Sequence, residues 1–154
     1  MKIALVGEAW SDEEERQRMP FVGPAGFQLN SLLRDAGINR ADCFLTSVFN
    51  LHPKNNNIET LCTTKALGAS HLPALIKAKY LNRAFLPELE RLKSELIRER
   101  PNVIVALGNV PSWALLHNTG IAKIRGTVSH CVLIPGAKVI PTYHPMAVIR
   151  QYEL

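Results

Sequence analysis

Apolar residues recur along the chain in two rhythms, one short and continuous, the other spaced by three and four. "KIALVG" (2–7) and "DCFLTSVFN" (42–50) are short β-rich runs, and "NVIVALG" (102–108) is the unbroken apolar run of a fully buried central strand. Between them the period lengthens. "GPAGFQLNSLLRDAGI" (23–38) puts Leu29, Leu32 and Leu33 at helical spacing, with Gly37 as a C-cap. "PELERLKSELIRERP" (87–101) places Leu89, Leu92, Leu96 and Ile97 on one helix face and stops at Pro101. "VPSWALLHNTG" (110–120) reads as a helix with a proline near its start and Gly120 at its end. "SHCVLIPGAKVIPTYH" (129–144) supplies two last strands around a Pro-Gly turn. This alternation predicts a single α/β domain over 1–154, a mostly parallel central sheet flanked by helices, with no repeat and no linker.

Composition sharpens the picture in three places. With 47% hydrophobic and 20% charged residues in 154, the chain has the make-up of a folded domain rather than a disordered one. No apolar run approaches a bilayer span, so no membrane partner is expected. The first ten residues read as a strand, because an acidic cluster comes next and no small-residue cleavage site appears. Cys43, Cys62 and Cys131 are widely spaced and form no C-x-x-C pair, which favours buried thiols in a reducing, cytoplasmic setting. The net charge of +5 favours a polyanionic partner. The least regular segment, 52–83, carries Lys54, Lys65, Lys77, Lys79 and Arg83 against Glu59. It is either a long solvated excursion or a basic lip along a phosphate backbone, and its "KNNN" reads as a turn.

In parallel α/β sheets, ligands bind beyond the carboxyl ends of the strands. Gly7-Glu8, Thr46-Ser47, Gly108-Asn109 and Thr142–Pro145 all fall at such ends. Each alone is a cap or a turn. Together they predict one rim and one site.

Two blocks give that site a chemistry. "GEAWSDEEERQRMPFVGPAG" (7–26) and "PTYHPMAVIR" (141–150) resemble the two signature motifs of the uracil-DNA glycosylase superfamily, in particular its family-4-like and phage-type branch. The resemblance extends through "FLTSVFNLHP", "YLNRAFLPELERL" and "PNVIVALGNVPSWALL", nearly the whole chain. It implies a monofunctional DNA glycosylase that flips a base out of single- or double-stranded DNA and cleaves its N-glycosidic bond with water. Glu8 would orient the water and stabilise the oxocarbenium-like sugar. His144, stiffened by Pro145, would donate to the base carbonyl as it gathers charge. Phe21 would stack on the base, with Ala9 and Ser47 in the pocket. Gly23 and Gly26 would let backbone amides approach a phosphate. Met146, with Val148 beside it, would wedge into the vacated stack, and Arg150 and Lys54 would meet phosphate. A monomer is expected, in a bacterial or phage-like setting.

Several positions depart from that pattern. Ser47 stands where the family carries an Asn that reads the uracil edge as donor and acceptor, and one hydroxyl cannot make that two-point contact. Asn50 should face the opposite side of an extended strand. Selectivity built on such bonds reaches about 10⁴–10⁵, so either uracil or a bulkier modified base is expected as substrate. Trp10 and Ser11 replace the family's Pro and Gly. Family-4 enzymes hold an iron–sulfur cluster on four cysteines. Here Leu51 takes one cysteine place, no room precedes Glu8 for the upstream pair, and Cys62 alone cannot hold a cluster, so no cofactor or metal is expected. Only ten residues come after His144, where relatives continue with a helix. The domain is therefore either compact or short of a C-terminal helix. The rival readings are a catalytically silent relative that binds DNA or a replication protein, and an enzyme of free nucleotides.

Overall fold

The computed structural model of the chain describes residues 1–147; the expectations for Val148 and Arg150 fall outside them. The apolar run at the N-terminus forms β1 (Ile3–Ala9), which continues two residues past the glycine expected to end it. Then come α1 (Asp12–Gln17), α2 (Pro24–Asp35), β2 (Cys43–Phe49), the short pair β3 (Cys62–Thr63) and β4 (Tyr80–Leu81), and α3 (Leu86–Glu99). The rest is β5 (Val103–Leu107), α4 (Asn109–Leu116), α5 (Ile121–Ile124), β6 (Ser129–His130) and β7 (Lys138–Thr142). Among the described residues the main sheet runs β2-β1-β5-β7-β6, parallel except for β6.

Strand register places the site. Gly7 lies opposite Ser47, and Leu107 opposite Thr142, so the carboxyl ends of four parallel strands finish together at one edge. Alternation along β1 sends Ala4 and Val6 to one face, where they join Leu92 and Leu96 of α3 and Trp113 and Leu115 of α4. Leu5 points to the other face and packs with Leu29 and Leu33 of α2. The core thus sits on both sides of the sheet, as a mostly parallel sheet requires.

Four expectations are corrected. Leu32 and Ile97 lie on the solvent side of their helices, because the buried stripes of α2 and α3 are narrower than the apolar spacing implied. α4 ends at His117, whose left-handed backbone closes the helix three residues before Gly120. Cys43 is half-buried at the start of β2, whereas Cys131 is buried as expected. Segment 52–83 is no solvated excursion: Ile58, Leu61, Leu75 and Leu81 enter the main core, and β3 pairs with β4 across it.

β2 is an edge strand, and edge carbonyls need partners. Arg91 of α3 supplies them. Its Nη2 donates to the carbonyls of Ser47 (2.7 Å) and Val48 (2.8 Å), and its Nη1 to Glu95 Oε1 (2.7 Å). Thr46 donates its hydroxyl to the same carboxylate at 2.6 Å, so it faces α3 rather than the rim. Replacing Arg91 with Met should strand two carbonyls and a carboxylate and cost about 1–3 kcal/mol. A urea midpoint equal to that of the wild type would refute the clamp.

Candidate active site

The carboxyl ends of the strands ring a cavity of about 480 Å³, within the range of small-ligand pockets. Glu8 and Ala9 reach it from β1, Ser47 from β2, Asn109 from the start of α4, and Tyr143 and His144 from the segment after β7. Phe21 and Gly23 close it from the segment between α1 and α2, and Met146, half-buried, borders it from the far end of the chain. Seven of the expected site residues therefore meet: Glu8, Ala9, Phe21, Gly23, Ser47, His144 and Met146. Gly26, Pro145 and Lys54 do not line the cavity. Pro145 is buried behind it, and Lys54 is exposed on the turn at 54–56.

Phe21 is the most constrained of these residues. Its backbone is left-handed (φ 56°), a conformation that bulky side chains avoid. Its amide donates to Glu14 Oε2, and its carbonyl accepts from Arg40 Nη2 at 3.0 Å. Its ring lies so close to Gly7 that a Cβ there would come within 2.6 Å of ring Cζ. A Cβ on Gly26 would stand 1.9 Å from the Phe21 carbonyl oxygen. Gly26 is therefore required for packing against the Phe21 turn, where the motif suggests a phosphate contact. Gly23, the N-cap of α2, does face the cavity.

Glu14 is a site residue that the motif blocks do not mark. It is a buried carboxylate, and its two oxygens have separate duties: Oε1 accepts from Ser11 N at 3.0 Å, Oε2 from Phe21 N. The Ser11 hydroxyl in turn accepts from Glu14 N at 3.3 Å, completing a capping box on α1. The Ser-x-x-Glu spacing in "SDEE" is the signal that could have found it. Trp10 is buried and does not line the cavity, so it packs beneath the turn and does not gate the pocket.

His144 is held by its neighbours. Met146 N donates to His144 Nδ1 at 3.1 Å, and Ala147 N to the His144 carbonyl at 2.9 Å. An Nδ1 that accepts places the proton of a neutral imidazole on Nε2. Gly108, at φ 106°, leaves room for this loop; a Cβ there would meet His144 Cβ at 3.3 Å.

Ser47 is buried and lines the cavity. Asn50 does not line it, and its backbone N–H donates to Glu88 Oε1 at 2.7 Å. Asn56, in the "KNNN" read as a turn, does line it, from a left-handed position (φ 54°) on the loop after β2. Asn tolerates that conformation better than most residues, which is the one signal that could have flagged it. Tyr143 also lines the cavity and carries the Arg125 guanidinium 5.1 Å above its ring.

The cysteines do not come together. The Cys43 thiol donates to the Asn39 carbonyl, the Cys62 thiol to the Ile58 carbonyl, and Cys131 lies in the core. Burial pushes the thiols of Cys43 and Cys62 above their ordinary values, with little thiolate to offer a metal. Among the described residues no three His, Cys, Asp or Glu side chains converge on a metal position. This donor set does not fit a four-cysteine cluster.

A parallel α/β sheet with an acid, an imidazole and an aromatic ring around one cleft at its carboxyl edge has its cavity where α/β proteins bind their ligands. Residues 1–154 match the profile of the uracil DNA glycosylase superfamily, and the chain belongs to that superfamily. It is 32% identical over 151 residues to the type-4 uracil-DNA glycosylase of Thermotoga maritima, spanning 97% of this chain and 67% of that protein. Against the type-4 uracil-DNA glycosylase of Archaeoglobus fulgidus it is 32% identical over 159 residues, 99% of this chain and 69% of the relative.

Glu14→Gln retains shape but only one acceptor oxygen, so either Ser11 or Phe21 loses its partner. The expected cost is about 1–3 kcal/mol in thermal or urea unfolding. Gly7→Ala should push the Phe21 ring aside with a smaller loss of stability. A crystal structure of Gly7→Ala with Phe21 unmoved would contradict the packing described.

Proposed function

We propose that the chain is a monofunctional DNA glycosylase, a hydrolase that takes a base out of DNA and cuts its N-glycosidic bond with water. The observation that carries this reading is that an acid from β1 and an imidazole from beyond β7 border the same cavity as the fixed ring of Phe21. A flipped base lies against that ring, since every base has a π-face. Glu8 then orients water and opposes the positive charge that grows on the sugar. The Nε2–H of His144 donates to the carbonyl oxygen of the departing base, where negative charge collects. Met146 N–H on Nδ1 keeps the imidazole in the tautomer this requires. The bond cleaved is C1′–N; water supplies hydroxide to the sugar and a proton to the base.

DNA is the substrate class. Uracil is the base that the names of the type-4 relatives support. Ser47 favours a second possibility for the base, a modified pyrimidine or deaminated purine, because its short side chain leaves space and forfeits the two-point contact of an Asn. The domain acts as a monomer. Among the described residues no helix is long and apolar enough to cross a membrane.

Incubation of the protein with a panel of base-containing oligonucleotides, then treatment with alkali, reads out abasic sites. Glu8→Ala and His144→Ala should each lower excision by about 10²–10³-fold while leaving binding of uncleaved DNA nearly intact. Wild-type rates in both would remove these two residues from the chemistry. No abasic site with any base would favour the silent DNA-binding relative instead. Ser47→Asn should shift preference toward uracil, and an unaltered preference would take Ser47 out of the specificity argument.

A further inference from the structure

Glu8 and Asn109, which line the first cavity, also line a second one of about 410 Å³. These two residues therefore border both spaces. Residues 74–78, which take in most of the hairpin at 75–79, form one wall of the second cavity, joined by Thr119 from beyond α4.

That hairpin is a rigid wall. Leu75 N donates to the Lys79 carbonyl and Lys79 N to the Ile76 carbonyl, both at 2.8 Å. Lys77 (φ 47°) and Ala78 (φ 59°) form its two-residue left-handed turn, which non-glycine residues hold only when their surroundings fix it. Leu75 is buried in the core, and the Trp113 indole N–H donates to the Pro73 carbonyl at 2.8 Å, pinning the hairpin to α4.

The wall also carries an excess of positive charge. Lys77 Nζ lies 2.6 Å and Lys79 Nζ 3.4 Å from the two oxygens of Glu59. One carboxylate shared by two ammonium groups leaves one positive charge over. Lys77 remains largely exposed, and it is a lining residue of the second cavity.

We infer that this second cavity receives a phosphodiester of the same DNA strand, one that flanks the flipped nucleotide. The inference rests on the glycosylase reading above. If Glu8 addresses the sugar, the strand must leave the base cavity past Glu8, and the adjoining groove is the one with the cationic wall. A phosphate there sets the sugar against Glu8 and holds the strand as the base turns inward. Segment 52–83 would then contact the backbone through its hairpin at Lys77, with Thr119 on the same groove.

The test uses a short single-stranded oligonucleotide with uracil at its centre, each phosphate replaced in turn by a neutral methylphosphonate. Lys77→Asn removes the charge and keeps a residue suited to the left-handed turn, and Lys79 remains to pair with Glu59. In the wild type, one phosphate adjacent to the target should show a several-fold loss in kcat/KM when neutralised. In Lys77→Asn that loss should vanish, and the slope of log Kd against log salt for an uncleavable 2′-fluoro analogue should be shallower by about 0.7. Thr119→Val should weaken the same position without altering the salt slope. Identical methylphosphonate profiles in wild type and Lys77→Asn would overturn the inference. If the wild type cuts no base yet the binding profile still depends on Lys77, the groove stands and the glycosylase reading falls.

Discussion

Phe21 occupies a backbone conformation that costs a bulky residue roughly 1–3 kcal/mol, and the surrounding sequence is organised to hold it there. Glu14 takes its amide, Arg40 its carbonyl, Gly7 gives way to its ring and Gly26 to its backbone. Each of these is a separate requirement on a residue type, and together they account for the spacing from Gly7 to Gly26. Three of these contacts fix the Phe21 backbone and the fourth seats its ring against Gly7. The ring is thus set in the cavity wall by the fold itself. Strain at a site persists only where neighbours over-determine it, and here the neighbours are identifiable.

Sheet register builds the rest of the cavity. Because Gly7 lies beside Ser47 and Leu107 beside Thr142, side chains from four parallel strands arrive at one depth. Glu8 gains from this a position between two spaces, the base cavity on one side and the hairpin groove on the other. Two carboxylates at this rim, Glu8 and Glu14, would repel a phosphate backbone if unopposed. The basic residues of the chain, Lys77 and Lys79 of the hairpin among them, offset part of that repulsion.

Much of this architecture was legible in the sequence, because the strands and helices are periodic and the motif blocks sit at strand ends. β5 could be read from an unbroken apolar run, and the rim from the residues at four strand ends. What escaped was governed by tertiary contact. Leu32 and Ile97 fit the helical period, yet the sheet surface is too narrow to cover them. In 52–83 the buried residues Ile58, Leu61, Leu75 and Leu81 keep no regular period, being set by turns and a two-residue strand pair, so the segment resembled a solvated loop. Asn56 reaches the cavity only because two successive residues adopt left-handed backbone, a fact of turn geometry that composition does not carry. Glu14 was within reach, since its capping-box spacing was present. Its second duty, toward Phe21, depends on a chain reversal that periodicity does not encode.

On the proposed glycosylase reading, base choice turns on how firmly β2 is held. Were that strand loose, a small residue at position 47 would let the backbone move inward and the lost volume would close. Arg91 prevents this: it binds the carbonyls of Ser47 and Val48, and its partner Glu95 is tied to Thr46. Ser47 is therefore held in place on the cavity wall. Asn56 and Asn109 line the same cavity from other elements, each with a donor and an acceptor, so polar groups are not lacking. On the proposed reading, the change at 47 moves discrimination from a fixed two-point contact on β2 toward shape and toward amides that approach from the rim. Such a pocket would separate bases by size more sharply than by the pattern of their hydrogen-bonding edge, because its rigid side is the one without the amide.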